Sequence, residues 1–469
     1  MLLTTDWVVL AGFIAASIIV SFVLKGTLHA FLLPFALAYS FWIEIGTRWT
    51  PAKIVPFLLI LGLLARTFVG KPTLAFGSIP KWAVILFATL VFSTVFNMEL
   101  AGLAPAQNLD NSRILQSPQW RASIQVVSYA VIFLYYVVPK ASLKKLESFP
   151  TFFRVYLWAS TSLCVYGIYQ LFAYYNDLPF RGVIYAPGVE GLGSFDVLGA
   201  TIPRLNSLAN EPKQLSLFLL PSIVILILVK TRAVKTLHSK FFGWWNLLLH
   251  CFVCGFTFAT SAFFAVPLIV LAVSVLVLKR TTRRALQFAL VFVLVGAFAV
   301  ASLAQVLKNV QVEAVPVEDV LAERTIRMLE QRRLDHIVFQ YLADNPRYFF
   351  LGMGPGNYSF VVDDEGAPLF GAHGIDPIDS GLLTLLADVG VVGLVAVLLL
   401  ALKPVWANFI LRLHLLKANP LRADVILLSS ALSVTALCQM PFVGALPHLL
   451  MFAGVAGAAA KANRRLSNP

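Results

Sequence analysis

The sequence predicts an all-α, polytopic integral membrane protein, and three observations carry that expectation. Of 469 residues, 59% are hydrophobic and only 13% are charged, about half the charged share of ordinary soluble domains. Apolar runs of about 17 to 25 residues, long enough for a helix to cross a bilayer, recur from end to end. Short basic clusters separate them: KASLKK from 140, KTRAVKTLHSK from 230, KRTTRR from 279, RLHLLK from 412 and KANRR from 461.

The net charge of +13 could suggest a nucleic-acid partner. Its confinement to inter-helix clusters is instead the positive-inside bias that orients membrane spans, so no nucleic acid is expected. The expected spans are 7–24, 27–45, 54–70, 81–98, 121–139, 151–175, 213–230, 243–260, 261–278, 285–303, 380–402, 424–441 and 444–460. That is about 12 to 14 helices, two pairs of which meet with almost no loop, near Thr260–Ser261 and near Pro441. The first apolar run lacks a basic leader and a small-residue cleavage site, so no cleavable signal is expected.

Placing the five basic clusters inside makes the parity of the spans consistent from residue 121 onward. Loops 99–120, 176–212 and 304–379 then lie outside, with the C-terminus inside. The N-terminus is outside if every span is real. The expected organisation is therefore transmembrane helices over 1–303 with a smaller outer loop at 176–212, a large outer loop at 304–379, and C-terminal transmembrane helices over 380–469. The large loop carries twelve carboxylates against six lysines and arginines. Within it, Val317 to Ala343 has helical spacing, with Leu321, Met328, Leu329, Ile337, Phe339 and Tyr341 as the apolar face. Asn345-Pro346 ends that helix, because proline disfavours helical geometry in the residue before it. GMGPGNY (352–358) follows, and without a Lys-Ser/Thr or a strand–helix frame it reads as a tight turn rather than a phosphate loop.

Three polar groups near the membrane surface are candidates for chemistry. The loop helix carries Arg324, Arg327, Arg332 and Arg333, with His336 beside them. Guanidinium groups bind phosphate oxygens in a bidentate fork and stay charged at any working pH, although a solvated face with i,i+4 pairs such as Glu323–Arg327 explains Arg324 and Arg327 equally well. PRLNSLANEPK places Arg204 and Glu211 just before a span; a carboxylate at that depth needs a partner, and Arg204 is the local candidate. The third group is Asp363, Asp364, Glu365, His373, Asp376 and Asp379. Carboxylates and histidine are general bases, whereas Asp379 at the head of an apolar helix is also placed to cap it. His250, within an apolar span, reads as a buried neutral histidine. Cys251 and Cys254 form a lone CxxC on a helix, with no second pair or zinc-spaced histidine.

At this point a family resemblance appears. RRLDHIVFQYLADNPRYFFLGMGPGNY (332–358) resembles the signature of the O-antigen polymerase and O-antigen ligase superfamily: an arginine-led helix, a proline, then a Gly-x-Gly turn in the large periplasmic loop. The ligases continue with His, then Asn, Ser or Gln, nine residues, Gly, two residues and Gly. This chain has Asp379-Ser380, nine residues, Gly390, Val391-Val392 and Gly393, with aspartate where ligases have histidine. YGIYQLFAYYNDLPF (166–180) and RLNSLANEP (204–212) also look like polymerase segments.

The resemblance implies a GT-C-like glycosyltransferase of the bacterial inner membrane, independent of metal and cofactor, acting at the periplasmic face. Its donor and acceptor are oligosaccharides on undecaprenyl diphosphate. A chain-length regulator and a flippase are the implied protein partners, and the bilayer is the third. Arg333 and Arg204 match the arginines that hold the diphosphate; Arg324, Arg327, Arg332, His336 and Gln170 are assigned to substrate binding. Asp379, His373 and Glu211 remain alternative bases. The change at Asp379 favours a polymerase, which joins repeats, over a ligase, which moves a finished glycan to lipid A core or protein. A transporter or flippase is a third reading, disfavoured because the polar groups gather at one face rather than at mid-membrane on paired broken helices.

Overall fold

A computed structural model describes residues 3–23, 28–39, 43–45, 47–69, 80–97, 118–186, 189–191, 193–197, 200–209, 211–235, 237, 243–277, 335–360, 380–415, 419–442 and 444–467. The protein is an all-α polytopic membrane protein, with three two-stranded antiparallel ribbons beside the helices among the described residues. The helices, in order, are α1 (Leu3–Ile18), α2 (His29–Ala38), α3 (Pro51–Phe68), α4 (Lys81–Phe96), α5 (Pro118–Ser142), α6 (Ser148–Tyr175), α7 (Pro212–Lys230), α8 (Trp244–Phe256) and α9 (Thr260–Val277). They continue with α10 (335–344), α11 (Pro346–Leu351), α12 (Gly381–Leu415), α13 (Pro420–Gln439) and α14 (Leu446–Ser467). Among the described residues, five helices are long and apolar enough to cross a membrane: α3, α5 from Ser123, α7, α12 as far as Arg412, and α13. Helices dominate because a chain in lipid must satisfy its backbone polar groups internally.

Each expected span but one contains a helix; the exception, 285–303, lies outside the described residues, as does loop 99–120 apart from its last residues. Three expectations change. The span at 27–45 is not one helix: α2 stops at Ala38, and Ile43–Ile45 (β1) pairs antiparallel with Thr47–Trp49 (β2). The β-branched and aromatic residues there suit a strand better than a helix. The span expected at 380–402 runs on to Leu415 and is broken at Gly390. Finally, the loop expected at 176–212 contains regular structure among its described residues. It holds hairpin β3 (Val183–Ala186) with β4 (Val189–Gly191), and hairpin β5 (Gly193–Val197) with β6 (Ala200–Arg204).

At the centre of the bundle is α7. It is apolar all round and buried from Leu215 to Val229, as expected of a helix enclosed on every side. α8, α9 and α13 pack on it, and α14 runs along α5, α12 and α13. One end of the bundle gathers the described elements that bear candidate residues. Leu382 N–H at the head of α12 donates to Met440 O at the foot of α13 (3.2 Å), and Leu205 N–H, just before α7, donates to Phe256 O at the end of α8 (2.9 Å). Asn97, at the end of α4, donates from Nδ2 to Gly352 O (2.9 Å).

Candidate active site

The Gly-rich turn and the helix break meet. Gly352, Gly354 and Gly356 all have positive φ, as does Gly390 in α12 (φ 65°, ψ −175°). A helix broken there leaves the carbonyls of its preceding turn without intrahelical donors, and in lipid they must be satisfied by other protein groups. Met353 N–H donates to Ala387 O (2.7 Å) and Gly354 N–H to Asp388 O (3.1 Å). The approach is backbone on backbone: a Cβ at Gly352 would lie 2.5 Å from Asp388 O. The GMGPGNY turn expected from the sequence is thus the cap of a broken membrane helix.

Asp388 fastens this junction from the side. It is 3% exposed, within an apolar span, where a charge costs several kcal/mol unless paired. Its Oδ2 accepts the Tyr129 hydroxyl of α5, and its Oδ1 accepts Gly356 N–H (2.9 Å). One carboxylate therefore joins α5, α12 and the turn. Asn97 adds a fourth strand of the knot, donating to Ser93 O (2.8 Å) as well as Gly352 O. Beside the turn, α10 packs through Val338 and Leu342 against Met353, Leu383, Leu386 and Ala387, with Ile337 and Tyr341 partly buried. Phe339, expected on the buried face, is 46% exposed; the face is set by the partner helix rather than by the bulkiest residues. Burial and the neighbouring Tyr348 push the Tyr341 phenol above its ordinary value. His336 is exposed on this helix, and Asn345 ends it, as expected.

Arg204 is delivered by the β5–β6 hairpin to the junction of α8 and α9. Its Nε donates to Thr257 O (3.1 Å), beside the Phe256 carbonyl that Leu205 N–H occupies. These are the orphan carbonyls at the negative end of α8, where a cation is favoured. The loop carrying Arg204 is held by Gln170 of α6, which is fully buried. Its Nε2 donates to Arg181 O (2.8 Å) and Asn206 Oδ1 (2.8 Å), and its Oε1 accepts Ser207 N–H (2.9 Å). Asn206 Nδ2 in turn donates to Ala209 O (2.8 Å), and Ser207 Oγ to Leu163 O (2.7 Å). The three Gln170 bonds are all internal, so its amide shapes the loop that presents Arg204.

Glu211 and Pro212 begin α7 as expected, with Glu211 at the N-cap and Pro212 in the first turn. The ion partner of Glu211 is Lys213 (3.2 Å), two residues along, where Arg204 was expected; Arg204 Nε is instead directed to the α8 carboxyl end. At α12 the capping residue is Ser380, whose Oγ accepts Leu383 N–H (3.3 Å), a role expected of Asp379. A serine one residue nearer reaches the N3 amide, which is the usual capping geometry. Arg324, Arg327, Arg332, Arg333, His373 and Asp379, with the acidic triplet at 363–365, lie outside the described residues.

His250 is buried with both ring nitrogens partnered, by Ser160 Oγ (2.8 Å) and Asn246 O (2.7 Å), and the four cysteines are free thiols. Asp388 was legible in principle, since a lone carboxylate inside an apolar run is rare without a function or a partner. Tyr129 carries no such local signal.

Residues 245–398, from α8 into α12, match a protein-family model described as O-antigen ligase (Wzy_C). The match includes the Gly-rich turn, Asp388 and Gly390, and Arg204 and Glu211 lie before it. A search among curated proteins found no match.

Proposed function

We propose that this chain, which carries a domain of the O-antigen ligase and polymerase superfamily, polymerises undecaprenyl-diphosphate-linked oligosaccharide repeats at the periplasmic face of the bacterial inner membrane. The observation that carries the reading is the junction of the two glycine motifs. In one place it brings together the break in α12 at Gly390, ten residues beyond Ser380, and the turn that follows the arginine-led helix. Arg204 stands at the same end of the bundle, on the α8–α9 junction.

In the proposed reaction a sugar hydroxyl of the acceptor attacks the anomeric carbon of the donor's reducing-end sugar. The new C–O bond forms as the bond from that carbon to the diphosphate oxygen breaks, and the electron pair leaves with undecaprenyl diphosphate. Arg204 and Arg333, with Arg327, offset the growing charge on the leaving group. The proton of the attacking hydroxyl passes to Asp379, or to His373 or Glu211. The donor diphosphate already carries the activation, so no nucleotide enters.

The test is reconstitution: purified protein with an undecaprenyl-diphosphate-linked repeat of its own host, in EDTA and without nucleotide. A ladder of glycan lengths supports the polymerase. The family description favours a second reading, a ligase, which would give no ladder but a single transfer once lipid A core is added. Absence of both products, with the partner proteins supplied, would overturn both readings.

A further inference from the structure

At the same end of the bundle, two buried polar side chains border α7 without full hydrogen bonding. Gln439, the last residue of α13, is 2% exposed, and His448, in the first turn of α14, is 8% exposed. Gln439 Oε1 and His448 Nε2 are both buried and have no hydrogen-bond partner. Both residues border one turn of α7. Pro221 has no N–H to give the Leu217 carbonyl, and Gln439 Nε2 points to that oxygen instead (3.5 Å). The His448 ring stands edge-on to Phe218, with centroids 5.7 Å apart. Phe218 is itself held by stacking on Tyr156 (4.5 Å), whose hydroxyl donates to Phe218 O (2.9 Å).

The amide of Gln439 is thereby oriented, with its donor on Leu217 and its acceptor free. Leaving such atoms unpaired carries a desolvation cost, one that leucine in place of His448 would have avoided. The turn lies about 9 Å, or six residues, below the Glu211–Pro212 head of α7. Met440, next to Gln439, accepts the Leu382 N–H at the head of α12. Both residues therefore lie toward the end of the bundle that carries the candidate site.

We propose that Gln439 and His448 form a hydroxyl-binding subsite for a sugar of the lipid-linked glycan. This rests on the glycan-polymerase reading above. The chemistry selects the ligand: Gln439 Oε1 can only accept, so its partner must donate, which a deprotonated phosphate oxygen cannot do. Sugar hydroxyls can donate to Gln439 Oε1 and can accept from an imidazole N–H of His448. Both residues act here as positioning groups for the substrate.

The experiment measures binding of two lipids to the full-length protein in detergent by native mass spectrometry: undecaprenyl diphosphate, and the same lipid bearing the host's repeat. Wild-type protein is expected to prefer the sugar-bearing lipid. Gln439→Leu and His448→Leu should each weaken binding of that lipid about tenfold, leaving bare undecaprenyl diphosphate unaffected. His448→Gln, whose amide reaches the position of Nε2, should recover most of the loss. Unliganded His448→Leu should be no less heat-resistant than wild type, since it loses a buried orphan atom, whereas unliganded Gln439→Leu also frees the Leu217 carbonyl and should be slightly less so. Weaker binding of both lipids together with lower heat resistance or failure to fold would overturn the subsite in favour of a structural role. An unchanged sugar preference in both variants would overturn it too. A wild-type protein that binds the bare lipid without preferring the sugar would overturn the subsite and leave the polymerase reading standing. Binding of neither lipid would overturn both.

Discussion

The amide nitrogen of Gly352 lies 2.5 Å from where the Cβ of a residue other than glycine at Gly390 would stand. The two glycines are neighbours in space because each holds a positive φ, 79° and 65°, and because neither has a side chain to keep the backbones apart. That contact joins the large loop to the membrane bundle.

Gly390→Ala should therefore be severe. The backbone at φ 65° and ψ −175° is open essentially to glycine alone and costs an alanine about 1–3 kcal/mol, and overlap with the Phe350 carbonyl adds about 1–3 kcal/mol. Size-exclusion chromatography should show little monodisperse protein. Gly12→Ala is the control: a Cβ there meets nothing within 4 Å, and the elution profile should be unchanged.

Tyr129→Phe removes one of the two donors to the Asp388 carboxylate and should lower unfolding free energy by about 1–3 kcal/mol. Asp388→Leu removes the charge together with its need for partners. The double variant should be less destabilised than the sum of the singles, a coupling that a double-mutant cycle of thermal unfolding measures. Strict additivity would mean that the two groups do not act as a pair.

Gln170→Glu keeps the shape but loses both Nε2 donors and buries a charge beside Asn206 Oδ1 and Arg181 O. A loss of about 3–5 kcal/mol is expected, with the glycan ladder lost as the Arg204 loop is released. A stable Gln170→Glu protein that still makes the ladder would show that the loop is held by other contacts.

Arg204→Lys retains the charge but not the Nε–H that Thr257 O accepts, nor the fork that grips two phosphate oxygens. The expected outcome is normal expression and a product ladder reduced about tenfold or more. Full activity in Arg204→Lys would reduce the role of this residue to charge alone.

Lys213→Met should change little. The Glu211–Lys213 pair is 41% and 34% exposed at its two ends, and such pairs contribute at most about 1 kcal/mol. Stability and ladder should both persist. A lost ladder at unchanged stability would point to a functional state of Glu211 that depends on Lys213.

The helices were legible because a polar backbone in lipid has few solutions, so an apolar run of sufficient length is already a helix. The resemblance around 332–358 likewise pointed to the loop and turn that pack on α12. Where side chains rather than backbones compete, the sequence was a poorer guide. Ser380 caps α12, because the cap is decided by which oxygen reaches the N3 amide. Val338 and Leu342 are buried while Phe339 is not, because the opposing surface of α12 chooses the face. Asp388 and Tyr129 are 259 residues apart, and Gln439 lies 222 residues from the Leu217 carbonyl that Pro221 leaves free. The chain by itself determined which segments enter the membrane, since that depends on local transfer and backbone hydrogen bonding. Only the tertiary structure decided which buried polar groups answer one another and which are left for a ligand, since those partners meet only when distant helices pack.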